Sequence, residues 1–174
     1  MNVGFSVAAN LLGVRFDPYS SYNFLVEIEG LLVGGFSQVS GLQAETTVET
    51  YREGGLNEYE HKLAGPTTYS SNLVLKHGLI DLDLLWQWHE EIRRGNIIRR
   101  NGTIYLLDNR RLPAMWWDFL EAYPVKWIGP DLQAGSSAVA LETIELVHHG
   151  IVKPTESTAL SAARGAVGGA AQLF

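Results

Sequence analysis

The 174-residue sequence predicts a mainly β domain with one packed α-helix and one extended β-hairpin arm. Three observations point there. A clean period-two strand runs from Tyr22 to Ile28. A single stripe of apolar residues at helical spacing lies between Leu82 and Ile92. The stretch from Gln43 to Lys62 is rich in strand formers, yet has no face to bury.

Residues 1–21 show little periodicity and read as an N-terminal arm, ending in the turn residues Asp17-Pro18 and Ser20-Ser21. In the first strand Tyr22, Phe24, Val26 and Ile28 share one face. Asn23, Leu25, Glu27 and Glu29 share the other. Leu31-Leu32-Val33 and Phe36 to Val39 read as short return strands around Gly34-Gly35.

The ribbon follows. One face of its first strand carries Thr46, Val48, Thr50 and Arg52, and the other carries Thr47, Glu49, Tyr51 and Glu53. Gly54-Gly55 is the turn, and Leu56 to Lys62, including Tyr59 and Glu60, forms the return arm. A two-stranded ribbon with no buried face is marginal in water, and its open edges invite another chain. The two readings are an arm ordered by a neighbouring copy and a solvated surface hairpin.

After Gly65-Pro66, Tyr69 to Lys76 is a strand that Gly78 stops. The helix stripe is Leu82, Leu85, Trp86, His89 and Ile92. Asp81 is its expected N-cap, Asp83 lies in the first turn, Arg93 and Arg94 in the last, and Gly95 just beyond. Asn101-Gly102 predicts a two-residue hairpin turn between 97–100 and 103–108. Trp116 to Tyr123 is a strand, Pro124 marks a bulge or an edge, and Val125 to Ile128 continues it. In the last strand, Val139 to His149, the apolar phase slips between Val139/Leu141 and Ile144/Leu146. A β-bulge or burial of both faces accounts for that. Beyond Lys153-Pro154, Ser, Ala and Gly dominate, which predicts a loosely ordered, flexible tail over 154–174 with a short helix near Ala159 to Arg164.

Composition narrows the function. A net charge of −6 argues against wrapping nucleic acid over the whole surface. Without cysteine there is neither a disulfide nor thiolate chemistry, and cytoplasmic assembly is the expected setting. Met1 to Val14 lacks a basic leader, and no run reaches membrane-spanning length, so direct membrane insertion is not expected. Charge is segregated. Glu27, Glu29, Glu45, Glu49, Glu53, Glu58 and Glu60 face only Arg52 in their stretch, whereas Arg93, Arg94, Arg99, Arg100, Arg110 and Arg111 face only Asp108 in theirs. These are either two solvated surface segments or two opposite poles that meet in a repeated assembly.

Catalytic and metal-binding patterns are missing. His89-Glu90-Glu91 lacks the second histidine of a zinc helix, and consecutive His148 and His149 point to opposite faces of a strand. His61 and His77 have no partner at ligand spacing, and no nucleophile elbow, phosphate loop or dinucleotide fingerprint occurs. Glu90-Glu91 and Glu142 with Glu145 read as solvated or intersubunit acids. The expectation is no enzyme and no cofactor. Trp86, Trp88, Trp116, Trp117 and Trp127 fill a helix–sheet seam or line a ligand groove.

Several motifs, taken in order, resemble the tail-tube protein family of contractile phage tails and bacterial contractile injection systems. They are Asp17-Pro18-Tyr19 with Tyr22 to Ile28, Gly35 to Leu42, Leu75-Lys76-His77-Gly78, Ala122 to Leu132, and Glu142 to Gly150. The resemblance spans about residues 15–152. It implies a two-sheet, barrel-like tail-tube domain over 1–153 with the arm at 43–62 and the tail at 154–174. It further implies a homo-oligomer of hexameric rings stacked head-to-tail into a tube. Contractile sheath and baseplate proteins would be its partners, and cargo effector or DNA would pass through the lumen. Such a particle would be assembled in the bacterial cytoplasm and, where tail-like, released extracellularly. Candidate subunit-interface residues are Glu45, Thr46, Val48, Glu49, Thr50, Tyr51, Arg52, Glu53, Leu56, Tyr59, Glu60, Arg99, Arg100, Arg110 and Arg111, the arginines facing a neighbouring copy, the sheath or the lumen. The alternative function is a monomeric β-sandwich that binds carbohydrate or peptide through its tryptophans.

Overall fold

A computed structural model describes residues 19–29, 31, 35–55, 59–79, 83–135, 137–160 and 163. The expectations for the N-terminal arm before Tyr19, for Leu32-Val33-Gly34, Leu56, Glu58, Asp81 and Leu82, and for the tail beyond residue 163 lie outside them. The body contains β1 (Phe24–Ile28), β2 (Phe36–Ser40), β5 (Leu73–Gly78), α1 (Leu84–Arg93), β6 (Arg100–Leu107), β7 (Pro113–Ile128), β8 (Leu141–Val147) and β9 (Gly150–Val152). The ribbon supplies β3 (Glu45–Tyr51) and β4 (His61–Thr68). Body strands run in the order β1-β6-β7-β8-β5-β2, with β9 also on β7, and every pairing is antiparallel.

This is the expected two-sheet, barrel-like arrangement, left open between β1 and β2. The hinge is β7. Its first half pairs with β6 and β9, and its second half with β8. The bend falls at Glu121, which adopts a left-handed φ of 48°. Register shifts on either side accommodate it, and one lies at Pro124/Lys126, where the sequence signals a bulge.

The core lies between the two halves. Val26, Ile28, Ile104, Phe119, Leu73, Leu75, Ile144 and Leu146 are buried there with Leu85 and Trp88 of α1. The helix begins after Asp83, whose side chain makes no capping bond. It ends in a Schellman motif: Asn96 N–H donates to Glu91 O (3.0 Å) and Gly95 N–H to Ile92 O (2.9 Å). Trp88 donates through Nε1 to Ile98 O (2.8 Å), and Trp86 meets Trp127 edge-on at 4.6 Å. Those three tryptophans fill the helix–sheet seam.

Three local expectations need correction. Asn101-Gly102 is not a turn, because β6 runs straight through it. Gly102 is there for packing: a Cβ at this position would stand 2.1 Å from Cζ of the fully buried Phe119 and 2.6 Å from Glu27 O. Asn101 serves the bend in β7, accepting from Glu121 N–H through Oδ1 (3.0 Å) and donating to Glu29 Oε2 (3.1 Å).

In β8 the phase slip has neither of its expected causes. Pairing with β5 is unbroken from Leu141 to Leu146. The even residues Glu142, Ile144, Leu146 and His148 face inward, while Val139 and Leu141 are 74% and 40% exposed. The third correction concerns the tail. Residues 155–160 are helical, a few positions earlier than expected. Buried Ser157 is bonded to both backbone groups of Trp116: Trp116 N–H donates to Ser157 Oγ (2.8 Å), which donates to Trp116 O (3.1 Å).

Candidate assembly surface

The ribbon forms a sheet of its own. Every residue of β3 is exposed, and β4 has only two residues, His61 and Gly65, that are even partly covered. Each strand has its substantial contacts with the other and with no element of the body. Glu45 pairs with Thr68 and Tyr51 with His61, so the return strand extends six residues beyond Lys62. Gly65-Pro66 lies within β4, opposite a register shift at Thr46/Val48, where a proline without an N–H does no harm. Thr46 and Thr67 share a hydroxyl bond of 2.8 Å.

Both ribbon faces mix charge with apolar surface. Val48, Tyr51, Tyr59 and Leu63 are all more than half exposed, and Leu63 is missing from the sequence-based candidates because the strand was expected to stop before it. Glu53 reaches His61 at 3.3 Å, and His61 sits edge-on to Tyr59. Among the described residues, Glu45, Glu49 and Glu60 enter no ion pair.

The base of the ribbon is tightly defined. Gly41 has φ +90°, and a Cβ there would fall 2.0 Å from Asn72 O, so the two legs touch through glycine alone. Ser71 Oγ donates to Gln43 Oε1 (2.8 Å). Tyr69, the first residue after β4, meets His148 edge-on at 5.9 Å.

The arginine cluster dissolves into separate roles. Arg93 holds Glu90 through two 2.7 Å bonds, and Arg94 adds a third contact at 3.3 Å. The Arg93 bonds, more than any other influence, hold the Glu90 carboxyl down at about 2. Arg99 reaches Glu121 (3.3 Å) and His149 and lies over the Tyr123 ring. Arg100 donates to Glu29 O (2.7 Å) and covers Trp88, so it belongs to the fold. Arg110 and Arg111 stand exposed at the β6–β7 turn, where Asp108 Oδ1 accepts from the N–H groups of Arg110 and Leu112. Neither enters an ion pair among the described residues. Within this cluster and among the described residues, these two are the arginines left without a side-chain or carbonyl partner.

Two further surfaces are open. Between the unpaired edges of β1 and β2 lies an apolar cleft of about 630 Å³, lined by Phe24, Phe36, Val39, Leu42, Leu106 and Trp117. On the outer face of β1, β6 and β7 is a wider groove of about 930 Å³ carrying Glu27, Glu29 and Asp118. Each carboxylate there has a neighbouring donor: Tyr105 OH (3.3 Å), Asn101 Nδ2 (3.1 Å) and Thr103 Oγ1 (2.7 Å). Burial first, then the charge of Glu27, pushes the Tyr105 phenol up.

The sequence reading also missed a buried polar group. His77 and Glu142 are 2% and 3% exposed, with Nδ1 and Oε1 at 3.2 Å, and Trp127 Nε1 donates to Glu142 Oε2 (2.8 Å). Periodicity held the signal, since His77 is in phase with Leu73 and Leu75, and Glu142 with Ile144 and Leu146. The group ties β5, β8 and β7 together beneath α1. Among the described residues no set of three His, Asp or Glu side chains could hold a metal ion, and no helix is long and apolar enough to cross a membrane.

The sequence model of the T4-like virus tail tube protein gp19 matches residues 20–152. The chain belongs to that family. No curated protein matches this tail tube protein at the level of sequence. Among solved structures, a chain of the anti-feeding prophage baseplate (6-fold symmetrised) is 31% identical. Its TM-score is 0.67, and the match covers 79% of this chain and 96% of that one. A chain of the sheath/tube terminator of an extracellular contractile injection system, PVC, is 25% identical at TM-score 0.70 and covers 80% and 98%. The extended PVC sheath–tube complex gives 24% identity, TM-score 0.70 and coverage of 83% and 96%, a likeness of fold. The tail tube protein thus shares a β architecture with chains of contractile particles.

Proposed function

We propose that this chain is a structural tube subunit whose copies form hexameric rings that stack head-to-tail into a conduit for cargo or DNA, enclosed by a contractile sheath and seated on a baseplate. The observation that carries the proposal is the ribbon. Among the described residues it has no buried face, no substantial contact with an element of the body and two open edges, and another molecule would supply what it lacks. Family membership supports the tube. The relatives from a 6-fold symmetrised baseplate and a sheath/tube terminator support the ring order and the partners. The particle is a phage tail or a tail-like injection machine, assembled in the cytoplasm. The subunit acts by shape and contact and is not an enzyme. Its interface comprises the ribbon candidates named above together with Leu63, Arg110 and Arg111.

Purified protein is expected to form rings or tubes in negative-stain micrographs. Replacing residues 45–68 by a short Gly-Ser linker should leave a folded monomer with no rings or tubes. A strictly monomeric wild-type protein at high concentration and low salt overturns the reading. Reversing Arg110 and Arg111 together to Glu should shorten or abolish tubes, and raised salt should mimic the effect partially, because exposed charges are screened within about 10 Å at 0.1 M. Tubes of unchanged length would remove these arginines from the interface.

A further inference from the structure

We propose that His148 is a pH-responsive anchor for the base of the ribbon: neutral, it holds Tyr69 and fixes how the ribbon leaves the body; protonated, it releases that hold. The ribbon lacks substantial body contacts of its own, so its direction is set where its two legs enter. One leg passes Gly41 and Gln43, and the other passes Tyr69, Ser71 and Asn72. Beneath the second leg lies His148, at the corner between β8 and β9. It is buried, no side chain bonds either ring nitrogen, and its polar neighbours are the backbone groups at Ser71 and Gly150. Its ring is edge-on to Tyr69, and Gly150, two residues on, leaves Tyr69 room to approach (a Cβ there would meet the ring at 3.4 Å).

A buried imidazole resists charging because the cation loses its water. Burial is accordingly the larger influence and pushes His148 below the usual histidine range; the backbone at Ser71 and at Gly150 opposes it. The titratable side chain in contact is the Tyr69 phenol. The charged groups nearby, Glu121 and Arg99, engage His149 instead. The native state therefore binds this proton less tightly than the unfolded chain does. Its stabilising contribution is complete above the ordinary histidine value and is lost as pH falls through and below that value. Because His148 touches the ribbon leg, the acid response falls first on the ribbon base.

Hydrogen exchange of the unassembled protein tests this, at about pH 8 and about pH 5.5, with rates corrected for intrinsic pH dependence. The comparison protein is His148→Phe, which keeps an uncharged ring against Tyr69. At the acidic pH the wild type should show several-fold faster exchange over residues 41–45 and 68–73 than His148→Phe. At the alkaline pH the two should agree, and His149→Phe should behave as wild type. Histidine resonances of the wild type supply a readout independent of any variant: His148 should titrate below the usual histidine range, with the Tyr69 ring signals moving at the same pH. Equal acid exchange in wild type and His148→Phe, or Tyr69 signals blind to the His148 titration, overturns the proposal. It does not rest on ring formation, so a wild type that never assembles would sink the tube reading and leave this one standing.

Discussion

Replacing Gly102 by valine is expected to lower the melting temperature by roughly 6–12 °C, the effect of about 3 kcal/mol of overpacking in a domain of this size. The new Cβ would lie 2.1 Å and 2.7 Å from two atoms of Phe119 and 2.6 Å from Glu27 O. Neither neighbour yields cheaply. Phe119 has no exposed surface, and Glu27 O belongs to the strand paired with β6. Gly54→Ala is the control, since nothing lies within 4 Å of a Cβ there. Thermal unfolding followed by circular dichroism separates them, and a Gly102→Val protein that melts like wild type would refute the packing account. Trimming the partner in a Gly102→Val/Phe119→Leu double variant should recover part of the loss, as residues in contact do when their effects are coupled.

Glu142→Ala is expected to cost about 3–5 kcal/mol in urea unfolding, the combined penalty for losing two buried hydrogen bonds and opening a cavity. The substitution removes the acceptor of Trp127 Nε1 and the carboxylate facing His77, and leaves a cavity beneath the helix. Glu142→Gln retains the volume and an acceptor for the indole, so it should lose only about 1–2 kcal/mol. Equal losses in the two variants would show that the pair matters only as filler. Trp127 also meets Trp86 of α1 edge-on, so its fluorescence should change in Glu142→Ala before global unfolding.

These two sites show where sequence reading succeeds and where it falters. The Tyr22–Ile28 strand, the helix and its end at Gly95, the Pro124 bulge and the ribbon with its Gly54-Gly55 turn were legible because each follows from local rules of period, capping and turn chemistry. Gly102 was not. Asn-Gly is a turn signal in isolation, and nothing nearby announces that Phe119, seventeen positions later in the chain, needs the space. Glu142 was misread because polarity was allowed to outweigh phase: its even-numbered apolar neighbours placed it inside, and a histidine 65 residues away makes that tolerable. The arginine cluster looked like one surface because adjacency in sequence was taken for adjacency in role. Arg100 is spent on a carbonyl and an indole, Arg99 on Glu121, and only the pair at the β6–β7 turn is left to meet something else.

The ribbon's isolation from the body has an evolutionary corollary. A monomer's melting curve is nearly blind to residues 45–68, because little of the domain's cohesion passes through them. On the proposed assembly, mutations there would escape the filter of foldability and be judged instead by whether the next subunit still recognises them. If the proposed assembly holds, two regimes of selection would act on one chain: one on the interior of the body, and the other on ribbon and receptor together, so that tubes from diverging lineages would come to exclude each other's subunits while their folds stay the same.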